Sequence, residues 1–138
     1  MDIIQKYLFL AGRTLLALYF ILPGAMEVMN FSGTAEYMAT HGMLFIPFFL
    51  VLTIVIQIGG GLCLALGYRV QIVAFLLASL VLVISLVLHD FWTMEDGLQK
   101  AHETQNFIKN MAIMAGLLVL AGGHRTLSQP FPDRSPIA

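Results

Sequence analysis

Four long apolar runs, at about residues 7–29, 44–66, 72–91 and 107–123, constrain this chain more than any other feature. At about 1.5 Å of rise per residue, each run is long enough as a helix to cross a hydrocarbon core of roughly 30 Å. Lipid offers the backbone no hydrogen-bond partners, so such runs must satisfy their own polar groups by forming helices. The expected fold is all-α: an integral membrane four-helix bundle forming a single domain over residues 1–125. A proline-rich, loose cytoplasmic tail is expected over 126–138. The charge content agrees: 11% of the 138 residues are charged, against about a quarter in a soluble domain. A net charge of −1 leaves no footprint for nucleic acid and excludes that class. Cys63 stands alone, so no internal disulfide or dithiol redox pair is available. It is expected to pack as a small apolar residue. The first run is long and carries Arg13, so it is read as a retained membrane helix rather than a cleaved leader.

The basic residues set the expected orientation. Lys6 and Arg13 flank the start of the first run, Arg69 lies in the second connection, and Arg125 and Arg134 follow the last run. The first connection, 30–43, has no Lys or Arg, and the third, 92–106, has only Lys100. This asymmetry predicts a multi-pass protein of the cell (inner) membrane with both termini cytoplasmic. Ser32 or Thr34 could cap a short helix ending at Gly42, with Tyr37, Met38 and Met43 suited to an interface. The first outer connection is therefore expected to hold a short interfacial helix. The second, 67–71, is short enough to be a tight turn.

Polar residues inside such runs carry the functional information, because each charge exposed to lipid costs about 2.5–3.5 kcal/mol or more. At about 100° per residue, Arg13, Phe20, Gly24 and Glu27 share one face of the first helix. Thr53, Gln57, Gly60 and Gly61 share a face of the second, Ser85 and His89 of the third, and Asn106, Lys109 and Asn110 of the fourth. These faces are expected to meet inside the bundle. The predicted topology brings Glu27, His89, Asp90, Trp92, Asn106, Lys109 and Asn110 to one depth near the outer surface, as a candidate polar ligand site. Plainer roles stand beside this one. Glu27 and Lys109 could neutralise each other as an interhelical ion pair, and His89 could bond a neighbour at the interface. Asp90 could begin a solvated loop, Trp92 suits the interfacial aromatic belt, and Asn106 suits a helix cap. Arg13 is expected to reach the cytoplasmic headgroups or to meet the Gln57 amide. Gly59, Gly60 and Gly61 suit close approach of a neighbouring helix. The histidines at 41, 89, 102 and 124 lack the paired spacing of a haem or di-metal site, and no metal or flavin motif is found.

Arg13–Gly24, the Phe31–Met38 segment with His41-Gly42, and Gln57–Gly61 with Leu66-Gly67-Tyr68-Arg69 together resemble the DoxX family of small four-helix membrane proteins. His89-Asp90-Phe91-Trp92 and Asn106-Phe107-Ile108-Lys109-Asn110 carry the most specific part of the likeness. It spans about residues 10–128. The chain departs from the family pattern where it has Glu27 instead of Lys, Gln57 instead of Glu, and Asn106 where His is frequent. The resemblance implies a membrane-embedded accessory or redox-associated role, and the outer polar cluster over an apolar bundle leads us to expect a small apolar or quinone-like ligand between the helices. His89 and Asp90 would hold its polar head, Lys109 and Asn110 would shape the mouth, and other membrane redox subunits would be partners. A catalytic role for the isolated chain is not expected; were there one, it would be quinone-linked oxidoreduction. A transporter or lipid-handling protein, a scaffold for other membrane subunits, and self-association all stay open.

Overall fold

The structure is a computed structural model that describes residues 2–128, with side chains to residue 123. It is all-helical among those residues: α1 (Ile3–Met29), α2 (Phe31–Thr40), α3 (Ile46–Leu66), α4 (Val70–Leu88) and α5 (Leu98–Ser128), with a single 3-10 turn at Phe91–Thr93. Four helices are long and apolar enough to cross a membrane, and α2 is the short helix expected between the first two. Side chains such as Leu15, Leu22, Val55, Ile72, Val83 and Val119 are more than half exposed along the flanks. In water such surfaces would be a liability; in lipid they are the solvent-facing side. The integral membrane four-helix bundle read from the hydropathy is the fold observed.

The local chemistry explains the ends of the elements. Asp2 Oδ1 accepts from the Gln5 amide at 2.9 Å, and Gln5 Oε1 accepts from the Asp2 amide at 3.1 Å, closing a capping box on α1. Pro23 lies within α1 and removes the hydrogen bond that the Tyr19 carbonyl would otherwise receive. Ser32 and Thr34 fall inside α2 rather than at its start: Asn30 is the N-cap, and the Thr34 hydroxyl donates back to the Asn30 carbonyl at 3.1 Å. Gly67 ends α3 at φ +74°, where the Tyr68 amide reaches the Cys63 carbonyl at 2.9 Å. Arg69, at φ +46°, then starts α4 at once.

The last helix differs from the sequence expectation. It begins at Leu98, nine residues before the apolar run at 107, so most of the expected third loop is helical. Residues 98–106 are mostly polar, but Leu98, Gln99, Lys100, Ala101, Glu103 and Gln105 are good helix formers, and Gly97 breaks the chain just before them. Asn106 is therefore a mid-helix residue and not a cap. The part of the expected tail beyond 128 lies outside the described residues.

α1 packs along α3 and α4 along α5, while α3 and α4 meet over a shorter length near their connecting turn. The core, from Ala17 and Phe20 to Leu64, Ala74, Leu77 and Leu117, fills the half of the bundle nearest that turn. Small residues set the spacing of α3 from α1 and from α4. A Cβ on Gly61 would lie 2.6 Å from Ile21 Cγ1 and 2.9 Å from the Ala17 carbonyl oxygen, and one on Gly60 would lie 2.9 Å from Leu77 Cδ2. Gly59 meets nothing within 4 Å and does not take part. Gly61→Val is expected to force α1 from α3 and to cost about 1–3 kcal/mol by overpacking. Gly59→Ala is expected to be neutral. Thermal unfolding of the two variants in detergent checks the contrast.

Candidate functional site

The half of the bundle away from the α3–α4 turn is not filled by core. It holds a cleft of about 920 Å³, walled by α1 from Tyr19 to Glu27, α3 from Phe49 to Gln57, α4 from Leu76 to Leu88 and α5 from Asn106 to Ile113. Thr34, Tyr37 and Met38 of α2 lie across its end. Leu52, Leu76, Val83 and Val87 line the cleft and are also exposed on the flank, which opens it sideways toward lipid.

Glu103 organises the α2 end. Its side chain is on the first turns of α5, and the residue is only 5% exposed. His89, the C-cap of α4, places Nδ1 2.6 Å from Glu103 Oε2. Gln99, one turn earlier on α5, donates to Oε1 at 3.3 Å. The Tyr37 hydroxyl reaches down from α2 to within 3.1 Å of the same Oε1 and 3.0 Å of the Leu88 carbonyl oxygen, so its one hydrogen serves two acceptors. The Leu88 carbonyl is one of those left without a helical partner at the end of α4. Burial, and after it the neighbouring Glu103 carboxylate, raises the ionisation of Tyr37 far above the ordinary tyrosine range. The phenol therefore stays protonated and remains a donor. With Nδ1 committed to Glu103, His89 offers Nε2 as its remaining nitrogen, and His89 lines the cleft. A neutral His89 in this tautomer accepts a proton or a hydrogen bond at Nε2; a protonated one donates there.

A second contact ties α2 to the 3-10 turn. The Tyr37 and His41 rings lie tilted by 57° with centroids 4.7 Å apart, and His41 Nε2 lies 3.5 Å from Asp90 Oδ1. Asp90 Oδ2 accepts from Thr93 at 3.1 Å. Asp90 thus turns toward α2 and is not among the cleft walls. Trp92 is not among them either: it is 52% exposed and packs edge-on to Phe91 and Phe107.

On the opposite wall, Gln57 Nε2 donates to Glu27 Oε1 at 3.4 Å. Gly24 leaves the space for this contact, since a Cβ there would lie 3.3 Å from Gln57 Oε1. Glu27 Oε2 and Gln57 Oε1 are buried without a hydrogen-bond partner. Deeper in the cleft, the Tyr19 hydroxyl donates to Asn110 Oδ1 at 2.9 Å. Lys109 is exposed, lines the cleft and forms no ion pair among the described residues, so the alternative of a Glu27–Lys109 pair is not realised. Arg13 does not meet Gln57. Its guanidinium lies beside Gly67 at the α3–α4 turn, with its carbon 5.9 Å from the Phe9 ring centroid.

Of the seven candidate residues, Glu27, His89, Asn106, Lys109 and Asn110 line the cleft, and Asp90 and Trp92 stand outside it. Glu103, Tyr37 as a donor, and Tyr19 are additions from the structure. Glu103 was legible in principle: Gln99, Glu103, Asn106 and Asn110 follow one another at spacings of four, three and four, one continuous helical face. Tyr37→Phe removes the phenol donor from two acceptors and is expected to destabilise the protein by about 1–3 kcal/mol. Amide exchange should speed up selectively in α2, which hydrogen–deuterium exchange by residue reads directly.

Comparison with known proteins agrees with this architecture. The chain is 30% identical over 113 residues to the Escherichia coli (strain K12) inner membrane protein YqjF, covering 81% of this chain and 80% of that protein. It is 29% identical over 117 residues to the inner membrane protein YphA of the same organism, covering 85% and 83%. No solved structure matches the chain significantly. The DoxX family profile matches residues 8–90, from α1 to the start of the 3-10 turn. The chain belongs to the DoxX family.

Proposed function

We propose that this protein takes up a lipophilic molecule with a polar head from the surrounding bilayer, and serves as an accessory subunit of a quinone-linked membrane redox system. One observation carries the reading: the bundle keeps a sideways-open apolar cleft where a core would otherwise be, with His89, polarised by Glu103, at its end. Its volume is within the roughly 300–1,000 Å³ of ordinary ligand sites. An apolar tail would lie between Ile56, Leu80 and Ile84, and a ring or head would reach His89 Nε2, Asn106 and Asn110. A carbonyl head suits the Asn110 amide and Lys109, while a hydroxyl head suits His89 Nε2. The redox assignment leans on the family resemblance. Inner-membrane placement follows the relatives' names, and cytoplasmic termini follow the Lys and Arg distribution. With that orientation the polar end of the cleft opens at the outer leaflet.

Lipid-handling is the second reading, favoured by the lateral opening, and it uses the same cleft. Organic extraction of the purified protein followed by mass spectrometry separates the two. Retained quinone that falls about tenfold or more in His89→Ala supports the redox reading. Retained phospholipid without quinone supports lipid handling. A protein that carries neither, and that is unchanged by His89→Ala, overturns both.

A further inference from the structure

The Glu27–Gln57 pair asks for something the chain does not supply. Both residues line the cleft. Gln57 is 6% exposed, yet its Oε1 has no donor, and neither does Glu27 Oε2. Buried acceptors without partners are rare and costly. Glu27 adds a second demand, for charge. Its polar contact is an amide 3.4 Å away, and it forms no ion pair among the described residues. A carboxylate so placed calls for a cation. The other ionisable groups of the cleft do not answer that call. Lys109 belongs to the α5 wall and stays exposed without pairing to Glu27, and His89 spends Nδ1 on Glu103.

Two hidden acceptors, one of them able to carry negative charge, beside an apolar channel open to lipid define a complementary ligand. We infer that the cleft selects lipophilic amines in their ammonium form, with N–H groups donating to Glu27 Oε2 and Gln57 Oε1 and the tail lying between α3 and α4. An ammonium has donors to spare and no acceptor, so it satisfies both oxygens without adding an unpaired atom. Its bond to a carboxylate is charge-assisted and, away from water, stronger than the same bond to an alcohol. This specificity rests on the proposal that the cleft takes lipophiles from the bilayer, and it names their head-group class.

The test uses the full chain in detergent and three probes with the same tail: dodecylamine, dodecanol and dodecanoate, their adducts counted by native mass spectrometry. Dodecylamine is expected to bind one-to-one and to exceed the other two at least about tenfold, the worth of a hydrogen bond to a charged group. Glu27→Gln should abolish that preference. Lys100→Gln, which removes a cation of α5 that does not line the cleft, should preserve it. Equal binding of amine and alcohol to the unmodified protein overturns the amine selectivity and leaves the lipophile cleft standing. A preference for dodecanoate overturns it in favour of anion recognition through Lys109. Absence of binding by all three removes the lipophile reading as well. The comparison on the unmodified chain decides the matter even if Glu27→Gln fails to fold, and Glu27→Asp, which keeps the charge, should retain the amine preference.

Discussion

A single buried carboxylate holds the α2 end of this bundle together. Glu103 sits where an isolated charge would be expensive, and it persists there because donors from three elements converge on it: Tyr37 from α2, His89 from the end of α4, and Gln99 from α5 itself. The consequence is topological. α2 is joined in sequence to α1 and α3, but its hydrogen bonds run to α4 and α5. Glu103 therefore ties α2 to the α4–α5 pair at the end of the bundle away from the α3–α4 turn. The same bond orients His89, so the feature that closes the bundle also sets which nitrogen faces the cleft.

The two halves of the bundle are built on different terms. Near the α3–α4 turn, small residues let backbones approach: Gly61 lies against Ala17 and Ile21, and Ala74 and Ala78 are fully enclosed in the core. Toward α2, α3 and α4 no longer close on one another, and the gap is lined by side chains that also look outward. In lipid such a gap exacts little hydrophobic penalty, since acyl chains are as apolar as its walls. What needs explanation is the polar matter along it. Tyr19 and Asn110 satisfy each other across α1 and α5, and Glu103 is saturated. Glu27 and Gln57 are only half satisfied. The cleft is thus uneven in its demands, with a settled side and an unsettled one.

The parts legible in the sequence were those written in hydropathy and glycine. Long apolar runs have one solution in a bilayer, Gly67 before Tyr68-Arg69 has few conformations besides a turn, and a helical α2 followed from residues 31–41. The stripes on α1, α3 and α5 also met, because polar faces in lipid have nowhere else to go. What stayed hidden was pairing. Periodicity says that Glu27 faces inward but not that it finds Gln57 rather than Lys109; that depends on Gly24 letting α3 come close. Glu103 was missed because the apolar run starts at 107, and a reading that stops where hydropathy stops leaves the polar turns of α5 as loop. The neighbour of Arg13 was hidden as well, since Gly67 is brought beside it only by the fold.

The contact between positions 27 and 57 shows how close helix packing can leave a polar pair half satisfied. A Lys and a Glu facing each other across two helices would form a neutral pair. Here the two residues are Glu and Gln, 3.4 Å apart. No cation among the described residues pairs with the acid, and its partner is neutral. A structural pair needs only complementarity, and Lys with Glu provides it fully. A pair with two idle acceptors is a poorer structural device and a better recognition surface. The physical consequence is that the α1–α3 wall presents to the cleft two oxygens whose demand the described residues leave unmet.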